Sequence, residues 1–119
     1  MIRLAYRPPF ATAPLARFLE AHAVPGLEVT PPGGGHTRVV RAPGGPAVVT
    51  VGLDEAPGGV ACEVRGARAV DLPHIVAAVR RWLDLDADPA EVAGALGADP
   101  LLAPLVAARP GLRILGSTD

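Results

Sequence analysis

Lysine, asparagine and glutamine are absent from this chain, so all 11 basic residues are arginine. So uniform an absence reads as a codon bias towards high G+C. The choice of Arg over Lys therefore carries little functional information. An excess of either sign of charge is also missing: the formal net charge is -1. A module that held nucleic acid by neutralising phosphates would be basic, so strong independent DNA binding is not expected. Cys62 stands alone, which excludes a disulfide framework and a thiolate metal site. No apolar run reaches the roughly 18 residues that cross a membrane, and no signal-peptide pattern opens the chain. A reducing cytoplasm fits all of these. Aromatics are few: Tyr6, Phe10, Phe18 and Trp82. The core must therefore be aliphatic, and a single domain of this size buries about two-thirds of its unfolded surface.

The residues that are present divide into short, well-punctuated segments. Ile2, Leu4 and Tyr6 alternate with Arg3, Ala5 and Arg7, which predicts a half-buried strand ended by Pro8-Pro9. Thr12 is the expected N-cap of a helix with Pro14 in its first turn and a stripe of Leu15, Phe18, Leu19 and His22. Val24-Pro25-Gly26 stops it. Strands are predicted over 27–30, 37–41, 47–53 and 60–65, separated by Gly/Pro turns that include 54–59. In the third, Ala47, Val49, Val51 and Leu53 share one face, and in the fourth Val60, Cys62 and Val64 do. Asp71 is the expected cap of a second helix, whose stripe is Leu72, Ile75, Val76, Val79, Trp82 and Leu83. The order β-α-β-β-β-β-α predicts an α+β domain, an antiparallel sheet with both helices on one face. Asp88-Pro89-Ala90-Glu91 then opens a short helix as cap, Pro at N1 and capping-box Glu. Asp99-Pro100 opens another, with Pro104 in its second turn.

Candidate chemistry is sparse. Cys62 reads as a buried structural thiol, since nothing near it in sequence would lower its pKa. His22, His36 and His74 are too scattered for a zinc site, and His22 suits the negative end of a helix dipole. Asp84, Asp86 and Asp88 resemble the start of a calcium loop, but Pro89 and Ala95 stand where its Gly and bidentate Glu belong. Gly33-Gly34-Gly35 lacks the Lys and the following helix of a phosphate loop. Arg3, Arg38 and Arg65 are expected on the sheet face opposite the core. They form either a solvated face with local ion pairs, the preferred reading, or a weakly basic surface brushing a phosphate backbone.

Several segments, taken in order, resemble a known family. These are Tyr6-Arg7-Pro8-Pro9-Phe10, Phe18-Leu19 with Ala23-Val24, and Pro43 to Val51. They continue with Arg81, Leu83-Asp84-Leu85, Asp88-Pro89 and Val92, then Arg109-Pro110-Gly111-Leu112-Arg113 with Gly116. Their order and spacing are similar to the amino-terminal segment of the 3-methyladenine DNA glycosylase II (AlkA-type) family. The family often has Asp where Ala11 stands, so Thr12 is expected to substitute as the cap.

The resemblance implies a TATA-binding-protein-like β-α-β4-α fold over 1–84, with short C-terminal helices over 85–119 leading into a catalytic domain. In the family a damaged nucleotide is flipped into an aromatic pocket and a catalytic Asp acts from a helix-hairpin-helix region. That hairpin pattern is absent here, and the four aromatics all look committed to core or strand ends. No catalytic, cofactor or metal residue is carried over. What is implied is the non-catalytic N-terminal domain of an alkylated-base glycosylase, which partners its catalytic domain in cis and reaches DNA through the parent. In some family members the glycosylase follows an Ada-type methyl-accepting regulator. Val92, Leu96, Leu101, Leu105 and Val106 are then expected to be under-buried and to contact that missing domain. The alternative is a stand-alone interaction module that homodimerises through these helices.

Overall fold

A computed structural model describes residues 1–53 and 59–119; apart from Gly59, the turn expected over 54–59 lies outside the described residues. The elements run β1 (Ile2–Leu4), α1 (Thr12–Ala21), β2 (Glu28–Val29), β3 (His36–Ala42), β4 (Gly45–Gly52), β5 (Val60–Arg65), α2 (Leu72–Leu83), α3 (Pro89–Gly97) and α4 (Ala103–Ala108). The sheet order is β1-β5-β4-β3-β2, antiparallel throughout. The β-α-β4-α order is therefore present, and the first strand closes on the last. This is an α+β architecture consistent with the TATA-binding-protein-like fold.

Register assigns the two faces. Val40↔Ala47, Val49↔Val64 and Val51↔Cys62 are opposed pairs on the inner face. Most of these side chains are fully buried, and they form one core with Leu15 and Leu19 of α1 and Ile75, Val79, Trp82 and Leu83 of α2. Both helices thus lie on one side of the sheet, because each carries a single apolar stripe that needs the same cover. Cys62 is wholly buried within this core, and burial pushes its thiol pKa up. The outer face carries Thr37 opposite Thr50, with hydroxyls 2.8 Å apart, and Val39 opposite Val48.

Several local expectations are revised. Thr12 is not a cap: Ala11 holds that position without a side-chain bond, and Thr12 is a buried first helical residue. The Ala11 N–H donates instead to the carbonyl of Gly111, so a distant loop sets where α1 begins. The α1 stripe is narrower than predicted. Phe18 is half exposed and stacks on the exposed His22, whose Nδ1 bonds the Phe18 carbonyl at 2.9 Å. Phe18 is consequently not committed to the core.

Asp71 precedes α2 but its side chain does not cap it. Its buried carboxylate accepts from the Gly44 N–H at 3.1 Å and from Arg68 Nε at 3.2 Å, bolting the β3–β4 hairpin to the start of α2. Asp71→Ala is expected to cost about 1 kcal/mol by removing the hydrogen bonds that a buried carboxylate makes to Gly44 and Arg68, measured by urea unfolding, with Asp71→Asn recovering only part.

Asp88 does cap α3, accepting from Ala90 and Glu91 N–H groups at 3.1 and 3.4 Å. The α4 helix starts at Ala103, so Pro104 falls in its first turn, where a missing N–H costs nothing. Neither α3 nor α4 contains a buried residue. Their contacts are chiefly with each other, and the molecule measures 48 × 27 × 26 Å.

Candidate functional site

The two most distinctive sequence segments, at opposite ends of the chain, meet in space. Arg113 is 7 % exposed. Its Nη2 donates to the carbonyls of Arg7 and Pro9 at 2.6 and 3.1 Å, and its Nη1 to those of Asp84 and Ala87 at 2.9 and 3.3 Å. The guanidinium carbon also lies 4.8 Å from the Phe10 ring centroid and 5.7 Å from that of Tyr6. Burial lowers the Arg113 pKa and Asp84 works against that shift. Gly111 has φ +78, and a Cβ there would stand 2.5 Å from the Pro9 carbonyl carbon, so the close approach requires glycine. Gly116 donates its N–H to the Trp82 carbonyl at 3.0 Å.

Asp84 ends α2 in the left-handed region, at φ 55, and its carboxylate accepts the Ile114 N–H at 3.1 Å. Asp86 takes both Arg80 Nε and Nη2, at 2.8 and 2.6 Å, and that hydrogen bond holds its pKa low. The three alternating aspartates therefore have separate partners. No group of three or more His, Cys, Asp or Glu able to hold a metal occurs among the described residues.

Leu85 belongs to the core, and Arg113 and Thr118 are buried, so the chain after α4 packs back on the sheet body. What stands off that body is the α3–α4 pair, clasped at both ends by the Arg113 buckle. Val92 and Leu96 are 43 % and 45 % exposed and Leu101 and Leu105 are 83 % and 65 % exposed. Val106 is half-buried.

The three sheet arginines do not share a face. Arg3 and Arg65 are exposed on the outer side, where Arg65 lies 3.9 Å from Glu63. Arg38 pairs across from the buried Val49 and is on the inner side, which corrects the expectation for it. Arg41 takes its place outside, opposite Pro46.

Sequence reasoning missed what Arg38 joins. Glu28 Oε1 lies 3.0 Å from His36 Nε2 and 3.3 Å from Arg38 Nη1, while its Oε2 accepts the Val24 N–H at 3.0 Å. His36 is 1 % exposed, and Arg38 sits 5.7 Å from the Trp82 ring centroid. This ionic knot borders a groove of about 680 Å³ rimmed by Phe18, Val24, Leu112 and Ile114. Burial would raise the Glu28 pKa, but the His36 bond, the Val24 N–H and Arg38 outweigh it and leave it lowered. A depressed carboxyl contributes stability above its unfolded pKa that is lost as pH falls through the folded value. Urea unfolding midpoints should therefore drop below about pH 4. Glu28→Gln should flatten that acid limb and cost about 1–2 kcal/mol at neutral pH.

The family model for the AlkA N-terminal domain matches residues 1–119. The chain belongs to that family. This AlkA N-terminal domain is 42% identical over 118 residues to a Mycobacterium tuberculosis protein named probable bifunctional transcriptional activator/DNA repair enzyme AlkA, in strains CDC 1551 / Oshkosh and H37Rv. The match takes in 99% of this chain and 23% of each relative, so the domain spans about a quarter of the proteins it resembles. Among its described residues, no helix is long and apolar enough to cross a membrane.

Proposed function

We propose that this chain is the non-catalytic N-terminal domain of an alkylated-base DNA N-glycosylase, acting in base excision repair of 3-methyladenine-type lesions in the cytoplasm. Its role is to scaffold the catalytic domain carried on the same polypeptide. The observation that carries this reading is the α3–α4 pair. Val92 and Leu96 on α3, Leu105 and Val106 on α4, and Leu101 in the turn between them belong to a projecting pair of helices with no buried residue, in a domain matched over its whole length by the family model. Uncovered apolar helices of this kind mark an interaction surface. DNA is reached through the parent, with Arg3 and Arg65 the outer-face cations nearest to a passive supporting role. The name of the relatives, which joins a transcriptional activator to a repair enzyme, supports an Ada-type regulator in the same parent.

The isolated chain is expected to release no 3-methyladenine from methylated DNA, assayed against a mock purification; reproducible release would overturn the non-catalytic role. In the intact parent, amide exchange over 89–108 should slow about tenfold or more relative to the isolated chain, corresponding to at least about 1.4 kcal/mol of added protection. Equal exchange in the two would remove the scaffold. The same exposed leucines support a second reading, a free-standing module that dimerises through α3 and α4. Sedimentation that stays monomeric at all concentrations excludes it.

A further inference from the structure

The groove beside the Glu28–His36–Arg38 knot runs between α1 and the chain that returns after α4. Phe18 lines it from the helix, Leu112 and Ile114 line it from the returning chain, and all three are exposed. Its charged lining is also one-sided. Arg38, Arg109 and Arg113 stand against a single acid, Glu28, which Arg38 and His36 already share. Arg109 is exposed and makes no ion pair among the described residues.

The α3–α4 pair is equally apolar and opposite in charge. From Leu85 to Ala108 the chain carries four acids, Asp86, Asp88, Glu91 and Asp99, and no base. Arg80 engages Asp86, and the other three have no basic partner among the described residues. Leu101 and Leu105 stand among them, largely exposed. Two such helix pairs meeting face to face would set carboxylates against carboxylates, a repulsion that counts against that contact. In the groove the same leucines would meet Phe18 and Ile114, and the acids would meet Arg109.

We infer that the free domain forms a two-fold dimer in which α3 and α4 of each copy seat in the groove of the other. Leu112 and Ile114 come shortly after Ala108, the end of α4, so the groove opens at the root of the helix pair. Two copies laid antiparallel can then make both contacts at once, and the assembly closes instead of growing into a fibre. Burial of the leucines and the groove rim supplies the attraction, while the charge match selects the groove over a second helix pair. The inference rests on the reading of a module that associates through α3 and α4, and it names the surface they take. Within the parent, the catalytic domain covers the same helices and competes with this contact.

The test is sedimentation equilibrium of the 119-residue chain, of a helix variant Leu101→Glu/Leu105→Glu and of a groove variant Phe18→Ser/Ile114→Ser. The unmodified chain should dimerise, and about tenfold more weakly in 1 M than in 0.1 M sodium chloride, as the Debye length contracts from about 10 to about 3 Å. Each variant alone should dimerise roughly tenfold or more weakly. An equal mixture of the two should recover a heterodimer through the one intact helix pair and the one intact groove. Pairing of helices with helices predicts no such recovery, since every mixed contact then contains the altered leucines. Melting midpoints show whether each variant is folded, and Ile114→Ser alone, at a position 83 % exposed, replaces the double variant if its core is loosened. A dimer that the groove variants leave unchanged, or a mixture without recovery, would overturn the groove and leave association through α3 and α4 standing. A dimer indifferent to salt would overturn the charge match. A monomer at all concentrations removes both this contact and the reading it rests on. Amide exchange in the parent is read separately, so none of these failures touches the scaffold.

Discussion

Replacing Arg113 by alanine is expected to lower the stability of this domain by about 3–5 kcal/mol, a large share of what a domain of this size has. One guanidinium serves four carbonyls from two separated parts of the chain: Arg7 and Pro9 on one side, Asp84 and Ala87 on the other. Removing it strands those acceptors in a site of 7 % exposure and leaves a cavity against Phe10. Arg113→Lys should recover little, because a single ammonium cannot reach two pairs of carbonyls at once. The loss should also be uneven. Amides of 109–116 and of 6–11 should exchange faster together, since Ala11 donates to Gly111 across the same junction. Thermal unfolding with residue-resolved exchange checks both. An Arg113→Ala protein as stable as the parent sequence would show that the buckle follows from the fold and does not maintain it.

Trp82→Ala is the second large effect, at about 3–5 kcal/mol. Trp82 is the largest of the fully buried side chains, in a core that is otherwise mainly aliphatic, with Phe10 its other buried aromatic. Its ring also packs 5.7 Å from His36 and from the Arg38 guanidinium, so deletion opens the ionic knot as well as the core. A melting-temperature drop of roughly 4 °C per kcal/mol is expected for a chain of this length. Trp82→Phe should recover more than half, since it restores apolar volume. The pH test of Glu28 offers an independent check: in Trp82→Ala the acid limb should shift towards that of Glu28→Gln, because Arg38 loses the ring that holds it beside the carboxylate.

The arginines show where sequence reading stopped. In Thr37-Arg38-Val39-Val40-Arg41 each parity contains one valine and one arginine, so alternation alone cannot say which face is inner. Pairing of Arg38 with Val49 decides it. The Glu28–His36–Arg38 knot was invisible for the same reason: Glu28 and His36 are eight residues apart and meet only when β2 folds along β3. The α1 start was misplaced because Ala11 is held by Gly111, a residue 100 positions away along the chain. Asp88, by contrast, was legible, since an N-cap and a Pro at N1 act within adjacent residues, although the Glu91 side chain does not return a bond to the Asp88 N–H.

By itself the sequence determined the element order, the aliphatic core, the stripe of α2, the cap of α3 and the family, all of which rest on local periodicity, turn chemistry or ordered motifs. The tertiary structure alone decided which arginines face inward and where α1 begins. It also decided that the first and last motifs close on one another through Arg113. Each of these depends on contacts between residues far apart in the chain. Their geometry is set by strand register and by how the returning chain packs, and neither is encoded in any short window.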